Sequence, residues 1–187
     1  ARTPDTSTLE GYLFPDTYRV FHDAEQEAII EKLLTNFDRK FTSAMRAEAL
    51  GQGYTIHDVV TLASIIEREV ANDDDRKMVA DIFLRRIKKG IPLQADSTVN
   101  YITKKNTPQA TIADTHIDSS YNTYRYRGLP PGAIGNPSLS SLQAAVYPTK
   151  NDYWFFLTSP DGSVHYSKTF DQHKKKKAQY LWKTILA

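Results

Sequence analysis

Between Thr55 and Val70 the chain carries the stretch that most limits what it can become. Val59, Val60, Leu62, Ala63, Ile65, Ile66 and Val70 recur at helical spacing. Their apolar face is wide enough that a helix here has to be surrounded by protein on most sides. Thr55, with Asp58 three positions on, suits the start of that helix. A buried central helix needs partners, and the flanking sequence supplies them. Ile29, Ile30, Leu33, Leu34, Phe37, Phe41 and Met45 predict one helix running from Asp23. Asp23 and Gln26 resemble its capping box, and Gly51 and Gly53 its end. Met78, Val79, Ile82, Phe83 and Ile87 predict another after Asp73-Asp74-Asp75, with Lys88 and Lys89 at its basic end and Gly90 and Pro92 stopping it.

The rest reads differently. Residues 1–10 are polar, a loop or entry strand, and 10–18 (EGYLFPDTY) suits a packed aromatic turn. From Leu93 to Gly135 the sequence is mostly irregular, with one short helix after Asp96. Ser138 caps a helix through Ala145, closed by Pro148. Tyr153–Thr158 and Ser163–Ser167 flank Pro160-Asp161-Gly162, a β-hairpin signal. The tail from Phe170 predicts a helix with Tyr180, Leu181, Ile185 and Leu186 on its apolar side. The fold class expected is α+β: a mainly helical body, irregular aromatic-rich loops, a C-terminal β-hairpin and a terminal helix.

Several chemistries drop out. With no cysteine among 187 residues, thiolate catalysis, disulfides and Cys-ligated zinc are excluded. His22, His57, His116, His165 and His173 form no close ligand pair, so no metal site and no cofactor is expected. Phosphate-cradling glycine motifs and a G-x-S-x-G elbow are missing. A net charge of +2 is too mild to argue for nucleic acid, and Lys174–Lys177 reads as the solvated face of the last helix. No run approaches 18 apolar residues, and the chain reads as an excised soluble region.

Carboxylate chemistry remains. Glu67 and Glu69 flank the apolar face of the central helix about symmetrically, while Arg68 points away. A carboxyl in apolar surroundings resists ionisation, which a general acid near neutral pH requires. Periodicity does not choose between the two, and both also suit ordinary helix-edge glutamates. Gln94 and Asp96 in 93–98 (LQADST) suit hydrogen bonds to sugar hydroxyls, or Asp96 caps the short helix. Tyr121, Asn122 and their neighbours in 121–132 offer ring faces and an amide for sugars, a composition that also suits single-stranded nucleic acid or an aromatic core loop.

Taken in order, LEGYLFPDTY (9–18), LASIIEREV (62–70), LQADSTVNY (93–101), YNTYRYRGLPPGAIGNPS (121–138), SLQAAVYP (141–148) and YWFFLTSPDGSVHYSKTFDQH (153–173) resemble the YceG-like (MltG) family of endolytic peptidoglycan transglycosylases. The resemblance implies cleavage of the MurNAc-β-1,4-GlcNAc bond within a glycan strand without water. The muramic acid C6 hydroxyl attacks its own anomeric carbon and leaves a 1,6-anhydro end. It also implies one glutamate acting as acid and then base, the first of the A-S-I-x-E-x-E stretch, hence Glu67. Glu69, Gln94, Asp96, Tyr121, Asn122 and, more weakly, Glu10 would support the substrate. Residues 1–22 would be an entry segment left from a LysM-like region, and 23–187 the catalytic domain. The implied setting is the extracytoplasmic face of the cell membrane, anchored by a single N-terminal helix absent from this chain. Cell-wall synthases such as penicillin-binding proteins would be partners, and nucleic acid would not. Two other readings stay open: a two-carboxylate glycoside hydrolase on peptidoglycan, and a wall-binding scaffold without catalysis.

Overall fold

A computed structural model of the chain describes residues 8–105 and 110–181. Eight helices and one two-stranded sheet are found there, an α+β arrangement. The central helix, α3 (Ile56–Glu69), is buried continuously from Val59 to Ile66. Thr55 and Asp58 close the expected capping box, each side chain bonding the other's backbone N–H. Ile65 and Ile66 are wholly buried, each contributing about 2 kcal/mol by leaving water.

Around α3 pack α2 (Ser43–Gly51), α4 (Asp73–Lys88), α5 (Asp96–Thr103) and α7 (Leu139–Val146), and α7 lies against both α3 and α4. The one helix expected over 23–51 is two. α1 (Gln26–Lys40) starts after Glu25 with no side-chain cap, so Asp23 and Gln26 do not form the box. The chain then breaks at Phe41, and Thr42 accepts from the Met45 N–H to begin α2. Apolar spacing runs through the break because Phe41 and Met45 both enter the core. A short α6 (Ile112–Thr115) was not expected; a four-residue turn has no apolar period to read, although Thr111 and Asp114 form its own capping box.

The hairpin comprises β1 (Phe155–Thr158) and β2 (Val164–Ser167), paired antiparallel with Phe156 opposite Tyr166. It lies on α4: Phe156 meets Phe83 edge-on at 5.6 Å, and the Tyr166 hydroxyl donates to Asp75. α8 (Phe170–Tyr180) then rests on the hairpin and buries no residue fully. Its Tyr180 stacks on His165 at 3.6 Å, while Ile185 and Leu186 lie outside the described residues. No described helix is long and apolar enough to cross a membrane.

The aromatic turn at 9–18 is nailed to the core. Gly11 and Leu13 donate their N–H groups to Asn136 Oδ1 at 2.7 and 3.3 Å. Gly11 has φ +97°, and a Cβ there would stand 2.5 Å from Val60 Cγ1 and 2.7 Å from Ala133 Cβ. Gly11→Ala therefore combines a left-handed backbone with overpacking, and urea unfolding should show a loss of about 3 kcal/mol.

Candidate active site

Glu67 and Glu69 close α3, two residues apart, and face opposite environments. Glu67 Oε2 accepts from Ser138 N (2.9 Å), Ser138 Oγ (2.6 Å) and Ser141 Oγ (2.7 Å). Its Oε1 takes Arg76 Nη2 at 3.0 Å. Burial works against the charged form. The serine hydrogen bonds and the Arg76 charge outweigh it, leaving the pKa below the ordinary carboxylate value. This corrects the expectation that apolar walls keep Glu67 protonated. The partners come from α4 and the start of α7, far away in sequence. Glu67 clasps the last turn of α3 to both helices, and Arg76 extends the clasp through Asp73, which also accepts from Ser140.

Glu69 has no cation against it among the described residues. Ser97 donates its hydroxyl to Oε1 at 2.6 Å and its N–H at 3.4 Å. Desolvation dominates and the Asp96 charge adds to it, so despite the Ser97 hydrogen bonds the pKa is pushed up to about 7. The residue keeps a solvent-accessible edge. Of the two glutamates, Glu69 carries the profile of an acid that holds a proton near neutral pH.

The elements around Glu69 explain its setting. Thr158 of β1 donates to the Glu69 carbonyl at 3.2 Å, tying the end of α3 to the hairpin. The 93–98 and 121–126 segments interlock: Gln94 N donates to Thr123 O and Ala95 N to Thr123 Oγ1, both at 3.1 Å. Asp96 is the first residue of α5, with Ala95 at the N-cap, so it does not cap the helix with its side chain. Instead Asp96 Oδ1 accepts from the Tyr124 hydroxyl at 2.7 Å. Gln94 is exposed, with φ +55°, and accepts from Arg86 Nη2 at 3.1 Å. Arg86, only 7% exposed, also donates to the Leu93 carbonyl at 2.8 Å.

The remaining expected residues separate into two groups. Glu10 and Tyr121 meet at Tyr101: its hydroxyl donates to Glu10 Oε2 at 2.7 Å, and the two rings are 5.0 Å apart. Tyr101 stands four residues after Ser97 on α5, hence on the same face and about 6 Å further along the axis. An aromatic ledge therefore lies one turn from the Glu69 carboxyl. Asn122 is placed otherwise. It is fully buried, its amide donates to the carbonyls of Thr115 (3.0 Å) and Ile117 (2.8 Å), and its oxygen accepts from Tyr124 N (3.0 Å). The expectation of a sugar-contacting amide is corrected: Asn122 builds the loop that delivers Tyr124. Ser97, Tyr124 and Arg86 were not singled out from sequence. Ser97 and Tyr124 lie within the segments that were, whereas nothing in the spacing of α4 marks Arg86.

Two open surface depressions lie elsewhere, one lined by Asp16, Tyr18, Asn36 and Arg39, the other by Tyr54, Asp81, Arg85 and Lys150. The electrostatic contrast along α3 is the more specific sign.

Residues 1–179 match the model of the YceG-like family. The chain is similar to an endolytic murein transglycosylase of Bacillus subtilis (strain 168), 39% identical over 175 residues, covering 92% of this chain and 48% of that protein. It is 32% identical over 179 residues to an endolytic murein transglycosylase of Streptococcus pneumoniae serotype 2, covering 92% of this chain and 32% of that one. A solved yceG-like protein from Listeria monocytogenes superposes with a TM-score of 0.84 at 42% identity, over 90% of this chain and 55% of that one. The chain thus spans about half, or less, of the length of these relatives.

Proposed function

The chain belongs to the YceG-like family, and on that premise we propose that it cuts peptidoglycan glycan strands from within, with the Glu69 carboxyl as the group that gives and regains the proton. The observation that carries the reading is the setting of that carboxyl: desolvated, hydrogen-bonded by Ser97 and with no cation against it among the described residues, which pushes its pKa up to about 7.

The chemistry follows from one acid. Glu69 gives its proton to the oxygen bridging MurNAc and GlcNAc, and the bond from that oxygen to the muramic anomeric carbon breaks. The C6 hydroxyl of the same muramic residue attacks the anomeric carbon and yields its proton to the Glu69 carboxylate. The products are a free GlcNAc 4-hydroxyl and a 1,6-anhydro muramic end, no water is consumed, and the acid is regenerated. Hydrolytic glycosidases need a second carboxylate as nucleophile or water-activating base. An attacking hydroxyl already tethered to the reacting ring has a high effective concentration and removes that need. The Tyr101–Tyr121 ledge, with Glu10 at its edge, suits the apolar face of a neighbouring sugar, and Gln94 its hydroxyls.

This reading supports action on the extracytoplasmic face of the membrane, where glycan strands are made, with attachment through a part of a longer parent protein. Synthases that extend the same strands are the natural partners. The test is a digest of purified glycan strands with product ends analysed by mass spectrometry. Internal fragments ending in 1,6-anhydro-MurNAc are expected. Reducing MurNAc ends alone would instead establish a hydrolase.

A further inference from the structure

We propose that Asp96, held in place by the Tyr124 hydroxyl, is a positioning residue that keeps the proton on Glu69. The inference rests on Glu69 being the acid, and it assigns a cause that neither the fold nor the family supplies.

The geometry ties the three residues into one unit. Ser97, next in chain to Asp96, contributes its hydroxyl and its N–H to Glu69 Oε1, so the start of α5 is bound to the end of α3. On the other side Asp96 Oδ1 takes the Tyr124 phenol at 2.7 Å. That phenol cannot wander. Its backbone N–H is fixed by buried Asn122, and neighbouring Thr123 is joined to Thr98 Oγ1 at 2.9 Å as well as to Ala95. The carboxylate of Asp96 is therefore anchored rather than free to turn to water.

Desolvation is the largest cause of the raised Glu69 pKa, and among the charges around it Asp96 is the one that adds to it. From α4, Arg86 spends its guanidinium on Leu93 and Gln94, over the Phe155 ring, and its field falls on Tyr124. From α8, His173 is pushed towards its neutral form by desolvation, with Lys177 and Arg86 adding to it. β1 presents the uncharged Thr158 hydroxyl. Glu67 and Arg76 are committed to each other, Glu67 also to Ser138 and Ser141 at the start of α7 and Arg76 to Asp73. A fixed negative charge beside a carboxyl penalises a second ionisation, so the pair keeps its proton on Glu69. Tyr124 does not compete as a proton source. Burial and the Asp96 hydrogen bond carry its pKa well above the ordinary phenol value, and it remains a donor throughout.

The experiment compares pH–rate profiles on purified glycan strands for wild type, Asp96→Asn, Tyr124→Phe and Glu69→Gln. The alkaline limb of kcat reports loss of the protonated acid. In Asp96→Asn it should move about 1 pH unit towards acid, which at neutral pH is roughly a fivefold loss in kcat. KM should stay within about twofold, because the substrate contacts are untouched. Tyr124→Phe should move the limb the same way by less, since the carboxylate persists but loses its anchor. If one variant fails to fold, the other decides. An unmoved limb in the folded variants, with Glu69→Gln inactive, overturns the inference and leaves the assignment of Glu69 intact. An active Glu69→Gln overturns that assignment first.

Discussion

Glu69→Gln is expected to lower strand cleavage on the order of 10³-fold while making the protein more stable in mild alkali. The loss follows because glutamine has no proton to give at neutral pH. The gain follows from linkage. Glu69 has a folded pKa of about 7 against an ordinary 4.5. Its contribution to stability is complete below pH 4.5 and is lost as pH climbs through 7. The whole loss amounts to about 3 kcal/mol at most. The neutral glutamine still accepts from Ser97 and never incurs that loss. Melting temperatures of wild type and Glu69→Gln should therefore match near pH 4 and separate by pH 8, with the variant higher. Reduced cleavage with raised alkaline stability is the pattern of an acid held against its own preference. A merely structural glutamate would lose stability on the same change.

Glu67→Ala should show the converse, a loss of stability of about 3 kcal/mol by denaturant unfolding. The carboxylate satisfies Ser138 N, Ser138 Oγ and Ser141 Oγ and pairs with Arg76, whose side chain is only 12% exposed. Its removal strands all four donors, and a partly buried charge left with one exposed partner, Asp73, is costly. Glu67→Gln keeps an acceptor for the serines and should cost less than half as much. The pH sign is opposite to that of Glu69. The depressed pKa of Glu67 contributes stability present above about 4.5 and lost as pH falls through its folded value. Per folded molecule, Glu67→Gln should retain cleavage within about tenfold of wild type, because it removes a clasp and not a proton.

Much of the scaffold was legible because its signals are local. The capping box of Thr55 and Asp58, the apolar face of α3, the Ser138 cap of α7 and the Pro160-Asp161-Gly162 turn each depend on residues a few positions apart. The break at Phe41–Thr42 was hidden because both sides of it feed the same core. The site was half legible. Sequence narrowed the acid to the last turn of α3, and a helical wheel leaves positions 67 and 69 equivalent. What separates them arrives from afar: Arg76, Ser138 and Ser141 on one side, Ser97 and Asp96 on the other. The resemblance implied the first glutamate, and the electrostatics favour the second. Asn122 misled for a related reason. An amide beside aromatic rings reads as a sugar contact until its three hydrogen bonds are seen to close within its own loop.

The account turns on which of two carboxyls two residues apart holds a proton at neutral pH, and carbon NMR of carboxyl-labelled glutamate can watch both titrate. Assignment by the Glu67→Gln and Glu69→Gln variants should give a Glu69 resonance with its midpoint near pH 7 and a Glu67 resonance already ionised below 4.5. A Glu69 that titrates with the exposed glutamates, while Glu67 keeps its proton towards neutrality, would contradict it.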